Sequence, residues 1–185
     1  MHVNISTCDE IIPEINKIGS EIVGVEIGVW DGKNIEALLQ RCPNIKKMYG
    51  IDPYKAYGNY LLYRDEAFLA PLRIEAIQRI AELGARAELI ELPSAEAVNR
   101  FEDESVNFVF IDGNHSFETV YEDLHIWYKR LKPGGIFSGH DFDIPSVNDA
   151  LFKFRKDLNM RSAFIVTGNQ VWWWKKPASI TIRDI

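Results

Sequence analysis

Apolar residues recur along this chain at two periods, and the two periods alternate. Residues 22–27 (Ile22-Val23-Gly24-Val25-Glu26-Ile27) form a short β-branched run that reads as a buried strand. Behind it Ile35, Leu38, Leu39 and Cys42 fall at i, i+3, i+4 and i+7, one face of a helix, which Pro43 stops. A turn through Gly28 and Gly32 joins the two. The alternation then repeats. Residues 47–52 predict a second strand ending in Asp52, 71–83 a helix closed by Gly84, and 87–92 a third strand, after which Pro93-Ser94 leads into a helix through Val98 and Phe101. Residues 106–111 are almost wholly apolar, as expected at the centre of a parallel sheet. The next helix is capped by Ser116 and carries Val120, Leu124, Trp127 and Leu131 inward. Pro133-Gly134-Gly135 turns into a fifth strand over 136–139. A further helix follows, where Ser146 and Asp149 have capping-box spacing. Segments 163–167 and 171–174 flank Gly168-Asn169-Gln170 as a hairpin. Alternation there sends Trp173 to one face and Trp172 with Trp174 to the other, a core-packing arrangement.

This order predicts an α/β fold: a Rossmann-like, doubly wound, mostly parallel seven-stranded sheet with a C-terminal antiparallel hairpin and helices on both faces. The whole of 1–185 reads as one domain. Residues 1–21 hold an N-terminal helix, over 9–20, and 53–70 form a lid-like insert. In that insert Tyr54, Tyr57, Tyr60 and Tyr63 recur every third residue, either packing the insert down or touching a substrate. In such sheets ligands bind at the carboxyl ends of the strands. Those ends are Gly28 to Gly32, Asp52, Ser94, Asp112 to His115, and His140-Asp141. Glycine is expected at the first turn because a side chain there would collide with a ligand lying against the backbone. Asp52, about twenty residues beyond the last turn glycine, has the spacing of an acid that accepts hydrogen bonds from a ribose diol.

Composition narrows the class. A net charge of −6 without a basic run argues against a nucleic-acid surface. Cys8 and Cys42 form neither a disulfide framework nor a metal spacing. No apolar run is long enough to span a bilayer, and the first residues lack the pattern of a signal peptide, so no membrane partner and a cytoplasmic location are expected. Homo-oligomerisation is left open.

The strand-end motifs resemble those of class I S-adenosylmethionine-dependent methyltransferases. The matching pieces are Val25-Glu26-Ile27-Gly28 with Gly32, Gly50-Ile51-Asp52-Pro53, Phe110-Ile111-Asp112-Gly113-Asn114-His115-Ser116, Leu131-Lys132-Pro133-Gly134-Gly135 and Gly139-His140-Asp141, with the closing hairpin. The Asp-Gly-Asn-His-Ser and Gly-His-Asp pieces are similar to a small-molecule O-methyltransferase subgroup. The resemblance implies S-adenosyl-L-methionine as cofactor and methyl transfer to a small-molecule acceptor, at oxygen by the subgroup's chemistry. It assigns cofactor binding to Glu26, Gly28, Trp30, Asp31, Gly32, Asn34, Asp52, Pro53, Ser94, Asp112, Gly113 and His115. Trp30 stands where the family often has a third glycine. Ser94 lies where the family reads the adenine, although a helix cap fits it equally.

Asp112, His115, His140 and Asp141 form the candidate reaction centre. Methyl transfer needs the acceptor positioned and its proton removed. A neutral histidine suits the second task, with His140 the first candidate base and His115 the second. Asp112, His140 and Asp141 could also hold one divalent cation. Two other classes share parts of the pattern. A nicotinamide-dependent oxidoreductase would use the same strand, turn and later acid, but its G-x-G-x-x-G fingerprint is missing. A non-catalytic binding module that kept the fold is the third reading.

Overall fold

A computed structural model describes residues 8–56 and 65–178. Seven strands form one sheet in the order β3-β2-β1-β4-β5-β7-β6. They are β1 (Ile22–Ile27), β2 (Ile45–Ile51), β3 (Ala87–Ile90), β4 (Val106–Ile111), β5 (Leu131–Gly139), β6 (Ile165–Val166) and β7 (Trp172–Lys175). The first five pair in parallel, and β7 runs antiparallel to both β5 and β6. The expected doubly wound sheet with a terminal hairpin is therefore the observed one. Among the described residues six α-helices accompany it: α1 (Ile12–Ile15), α2 (Lys33–Arg41), α3 (Glu66–Glu82), α4 (Ser94–Ala97), α5 (Phe117–Arg130) and α6 (Pro145–Asp157).

The period-2 pattern of the strands divides the core into two layers. Phe108 and Phe110 of β4 pack with Ile35, Leu38 and Ala76 under α2 and α3. Val109 and Ile111, one residue out of step, pack with Leu124, Trp127, Leu151 and Phe154 under α5 and α6. The tryptophan run splits as alternation requires. Trp172 and Trp174 are buried in the second layer, stacked 5.6 Å apart, and Trp173 packs against the first.

Several local features depart from the sequence reading. The N-terminal helix is a single turn, Ile12–Ile15, much shorter than 9–20. Helix α3 starts at Glu66, five residues before Pro71, because Asp65 caps it by accepting the Ala67 N–H at 2.8 Å. Residues 66–70 are thus helix and not insert. Tyr57, Tyr60 and Tyr63 lie outside the described residues. Ser116 sits at the N-cap of α5, but its hydroxyl pairs with Thr119 Oγ1 at 2.9 Å and caps nothing. Ser146 lies inside the first turn of α6, behind Pro145, and no capping box forms. Its hydroxyl donates instead to the His115 carbonyl at 2.5 Å, tying the loop after β4 to α6. Among the described residues no helix is long and apolar enough to cross a membrane.

Candidate active site

The strand order reverses between β1 and β4, so their carboxyl ends lie side by side. Gly28 leaves β1 at φ 86°, and a Cβ there would overlap the Asp112 carbonyl and the Gly113 Cα. The turn is thus glycine-dependent because the backbone after β4 occupies the space, not only because a ligand would. A cavity opens over this crossing. It is lined by Gly28 and Ile51, by Asp52 and Pro53 after β2, by Pro93, Ser94 and Ala95 after β3, and by Gly113, Thr119, Glu122 and Asp123 beyond β4. Of the residues expected to bind cofactor, Gly28, Asp52, Pro53, Ser94 and Gly113 line it. Glu26, Trp30, Asp31, Gly32, Asn34, Asp112 and His115 stand outside its lining.

Asp52 organises the turn. It is 2 % exposed. Its Oδ2 accepts the N–H groups of Val29 at 3.0 Å and Trp30 at 3.3 Å, and its Oδ1 that of Tyr54 at 2.9 Å. Burial raises its pKa, and these three donors oppose the rise. Oδ1 keeps a second lone pair for a further donor. Trp30 adopts φ 56°, in the left-handed region that costs a bulky residue about 1–2 kcal/mol. The conformation is held from both sides: Asp52 takes its N–H, and the Tyr54 hydroxyl donates to its carbonyl at 2.8 Å. The residue is 36 % exposed, and its ring meets Phe68 edge-on at 5.8 Å. The residue that breaks the glycine pattern is therefore pinned by the acid that closes β2.

Glu26, at the end of β1, is 1 % exposed. Its Oε1 accepts from Asn34 Nδ2 at 2.6 Å, and its Oε2 is buried with no partner among the described residues. Burial pushes this carboxyl well above the usual carboxylate range. Asn34 opposes the shift, and Asp112, Asp52 and Asp31 add to it. Asn34 also lies 2.8 Å from Cys8 Sγ and accepts the Cys8 N–H at 3.2 Å, which ties the first described segment to the turn. Asp31 accepts the Lys33 N–H at 3.1 Å and pairs with the Lys33 ammonium, so its side chain serves the first turn of α2.

The reaction-centre residues converge as the adjacency of β4 and β5 requires. His140 N–H donates to the Ile111 carbonyl at 3.1 Å. His140 Nδ1 lies 3.1 Å from Asp141 Oδ1 and 3.5 Å from Asp112 Oδ1, and its Nε2 lies 3.0 Å from the Asn169 carbonyl. Both ring nitrogens thus face acceptors, which favours the doubly protonated ring. His115 Nε2 lies 2.9 Å from Asp141 Oδ2 and 3.8 Å from Asp112 Oδ1. Burial alone would lower both histidine pKa values, but Asp112 and Asp141 reverse this and hold His115 at about 9 and His140 at about 10. Burial also works against ionised Asp141, yet His115 and His140 keep it well below the usual range. Asp141 sits at φ 56°, a strained conformation of the kind found where a site over-determines its geometry. The donor atoms that come within 4.8 Å of one another are those of Asp112, His115 and Asp141. That set differs by one residue from the Asp112, His140 and Asp141 expected from the motifs.

Two contributors escaped the motif reading. One is the Asn169 carbonyl, supplied by the hairpin loop. The other is Asp123 of α5, which is 2 % exposed and lines the cavity. Its signal was present: Asp123 interrupts the inward stripe Val120, Leu124, Trp127 with an acid. Ser94 does not cap α4, since Pro93 holds the N-cap position. Its hydroxyl donates to Asp123 Oδ1 and accepts from Trp127 Nε1, the latter at 2.8 Å.

A family model described as a methyltransferase domain matches residues 25–142. The chain belongs to this family. The matched span runs from β1 through His140-Asp141 and holds every strand end described above, so the fold is that of the class I S-adenosylmethionine-dependent methyltransferases; the nicotinamide reading is not favoured. A curated relative, the uncharacterized protein R132 of Acanthamoeba polyphaga mimivirus, is 23% identical over 142 residues, covering 75% of this chain. The chain spans 61% of that relative's length. Among solved structures, the O-methyltransferase NovP superposes with a TM-score of 0.69 at 14% identity, covering 90% of this chain and 79% of NovP. An rRNA methylase from Streptococcus thermophilus gives 0.65 at 17% identity (95% and 99% covered), and CalS11, a TDP-rhamnose 3'-O-methyltransferase, 0.62 at 15% (91% and 76%). At these identities the solved structures show a shared fold.

Proposed function

We propose that the protein transfers the methyl group of S-adenosylmethionine to an oxygen of a small-molecule acceptor. The observation that carries the reading is the convergence of Asp112, His115, His140 and Asp141 at the carboxyl ends of β4 and β5. NovP and CalS11, which share the fold, are both O-methyltransferases, and this favours oxygen. The net charge of −6 without a basic run favours a small acceptor over a nucleic acid.

The residues present fit the cofactor. Asp52 Oδ1 retains a lone pair for a ribose hydroxyl, and the orphaned Glu26 Oε2 is the kind of buried acceptor that an ammonium group satisfies. The cofactor supplies an electrophilic methyl on a positively charged sulfur. Asp112 and Asp141 orient the acceptor hydroxyl. His140 is held as a cation by its two carboxylate neighbours, so it becomes a base only when positive charge enters the cluster and lowers its hold on a proton. Calorimetry with S-adenosylhomocysteine tests the reading, and failure of the wild type to bind it would sink it. If binding occurs, Asp52→Ala is expected to weaken it by about a hundredfold, because Val29, Trp30 and Tyr54 lose their common acceptor and the turn loosens. An affinity within threefold of wild type would show that Asp52 neither holds the turn nor meets the ligand.

Asp112, His115 and Asp141 would also hold a divalent cation, which would add positive charge beside the acceptor oxygen. The imidazole in the set favours manganese over magnesium. Manganese added alone is expected to bind and to displace protons from the histidines. Asp141→Asn should remove that binding in a titration; retention of full affinity would dismiss the site.

A further inference from the structure

We propose that Asn34 is a positioning residue: it holds one oxygen of the Glu26 carboxyl so that the other, Oε2, is presented to the cofactor's ammonium group, and the segment ahead of β1 sets Asn34 for that task. This rests on the methyltransferase reading. It departs from the family resemblance, which makes Asn34 a direct cofactor contact, and it draws in Cys8, which precedes the residues matched by the family model.

The side chain of Asn34 is engaged with the protein at both ends. Its Oδ1 accepts the Cys8 N–H at 3.2 Å. Its Nδ2 has two hydrogens, and two acceptors stand before it, Glu26 Oε1 at 2.6 Å and Cys8 Sγ at 2.8 Å. These partners dictate which way the amide faces. Turned over, it would set an N–H against the Cys8 N–H and a carbonyl against the Glu26 carboxyl, two like contacts in place of two complementary ones. Cys8 is fully buried, and the segment behind it is fastened to the far end of α2. Asp9 pairs with Arg41 in the last turn of that helix, and Asn16 Nδ2 donates to the Arg41 carbonyl at 3.2 Å. The donor that faces Glu26 is thus fixed from outside the strand, turn and helix that carry the site.

Glu26 depends on that donor. Burial works against its ionised form; Asn34 counters this, and Asp112, Asp52 and Asp31 add to the penalty. With Oε1 on the amide, the plane of the carboxyl is set, and Oε2 is left without a donor among the described residues. A carboxylate accepts at both oxygens, so a buried one with a single donor is costly unless something brings another. An ammonium group on Oε2 completes it with a charge-assisted hydrogen bond. Without Asn34 the carboxyl could rotate about its last bond, and Oε2 would no longer offer a fixed acceptor. Asn34 itself stands outside the lining of the cavity, as a residue that acts through its neighbour should.

The test compares S-adenosylhomocysteine with its analogue lacking only the α-amino group, by calorimetry on the full chain. Wild type is expected to bind the analogue at least about tenfold more weakly. Asn34→Leu, which keeps the size and removes donor and acceptor together, should weaken S-adenosylhomocysteine by at least about tenfold and leave the analogue within about threefold. A merely structural role would weaken both ligands alike. The Glu26→Gln background separates positioning from direct contact. There Asn34→Leu should cost S-adenosylhomocysteine less than about threefold, because the group it serves is gone, whereas an additive loss would mark Asn34 as a contact of its own. Asn34→Ala carries the same expectations and serves if Asn34→Leu does not fold. Equal affinities of wild type for the two ligands, parallel losses in the folded variants, or additivity with Glu26→Gln would each overturn the assignment while leaving the methyltransferase reading intact. Absence of S-adenosylhomocysteine binding by wild type would overturn both.

Discussion

Gly28→Ala is expected to destabilise the protein by more than about 4 kcal/mol, a large share of the total stability of an ordinary domain. Two costs coincide at this position. The backbone adopts φ 86°, which penalises any Cβ. The Cβ itself would overlap the Asp112 carbonyl and crowd the Gly113 Cα, which are backbone atoms and cannot rotate aside. Relief would require parting β1 from β4, where the Asp112 N–H donates to the Ile27 carbonyl at 2.8 Å. Gly32→Ala is the matched control. It has a similar φ of 81°, but its Cβ would meet only the Arg79 side chain and Ala76, at 3.4 Å or more. It should therefore cost only about 1–2 kcal/mol. Denaturant unfolding of both variants separates strain from overlap, and equal small losses would contradict the packing of the turn against β4.

This contrast shows what the sequence carried and what it did not. Strand order, the two-layer core and the splitting of Trp172, Trp173 and Trp174 follow from periodicity, which is local and additive along the chain. The convergence of Asp112, His115, His140 and Asp141 was also legible, since parallel topology alone brings the ends of β4 and β5 together. The reason Gly28 must be glycine was not, because the obstructing atoms belong to Asp112, far along the chain. The same holds for Ser146 and Ser94. Ser146 was read as a helix cap and Ser94 as either a cap or a cofactor contact, and each spends its hydroxyl on a distant partner, His115 or Asp123. Local capping rules lose to tertiary hydrogen bonds where a better acceptor is near. The histidines show the electrostatic version. Types and positions were readable, but their charge state depends on two carboxylates that only the fold places beside them.

Asp123 carries the second large effect, in the dependence of stability on pH. Burial, only partly offset by Ser94 and reinforced by Glu122, pushes its pKa from the ordinary carboxylate range to about 7. The folded protein thus holds a proton that the unfolded chain has already released between about pH 4 and pH 7. Stability must fall as pH rises across that window, by roughly 4 kcal/mol in all from this group, and be flat above it. Asp123→Asn abolishes the contribution. Urea unfolding of wild type and variant near pH 5 and near pH 8 isolates it, because every other titrating group is common to both proteins. The variant is expected to gain on wild type by roughly 3 kcal/mol between the two conditions. A gap that does not change with pH would mean that the Asp123 carboxyl is hydrated or paired in the folded state.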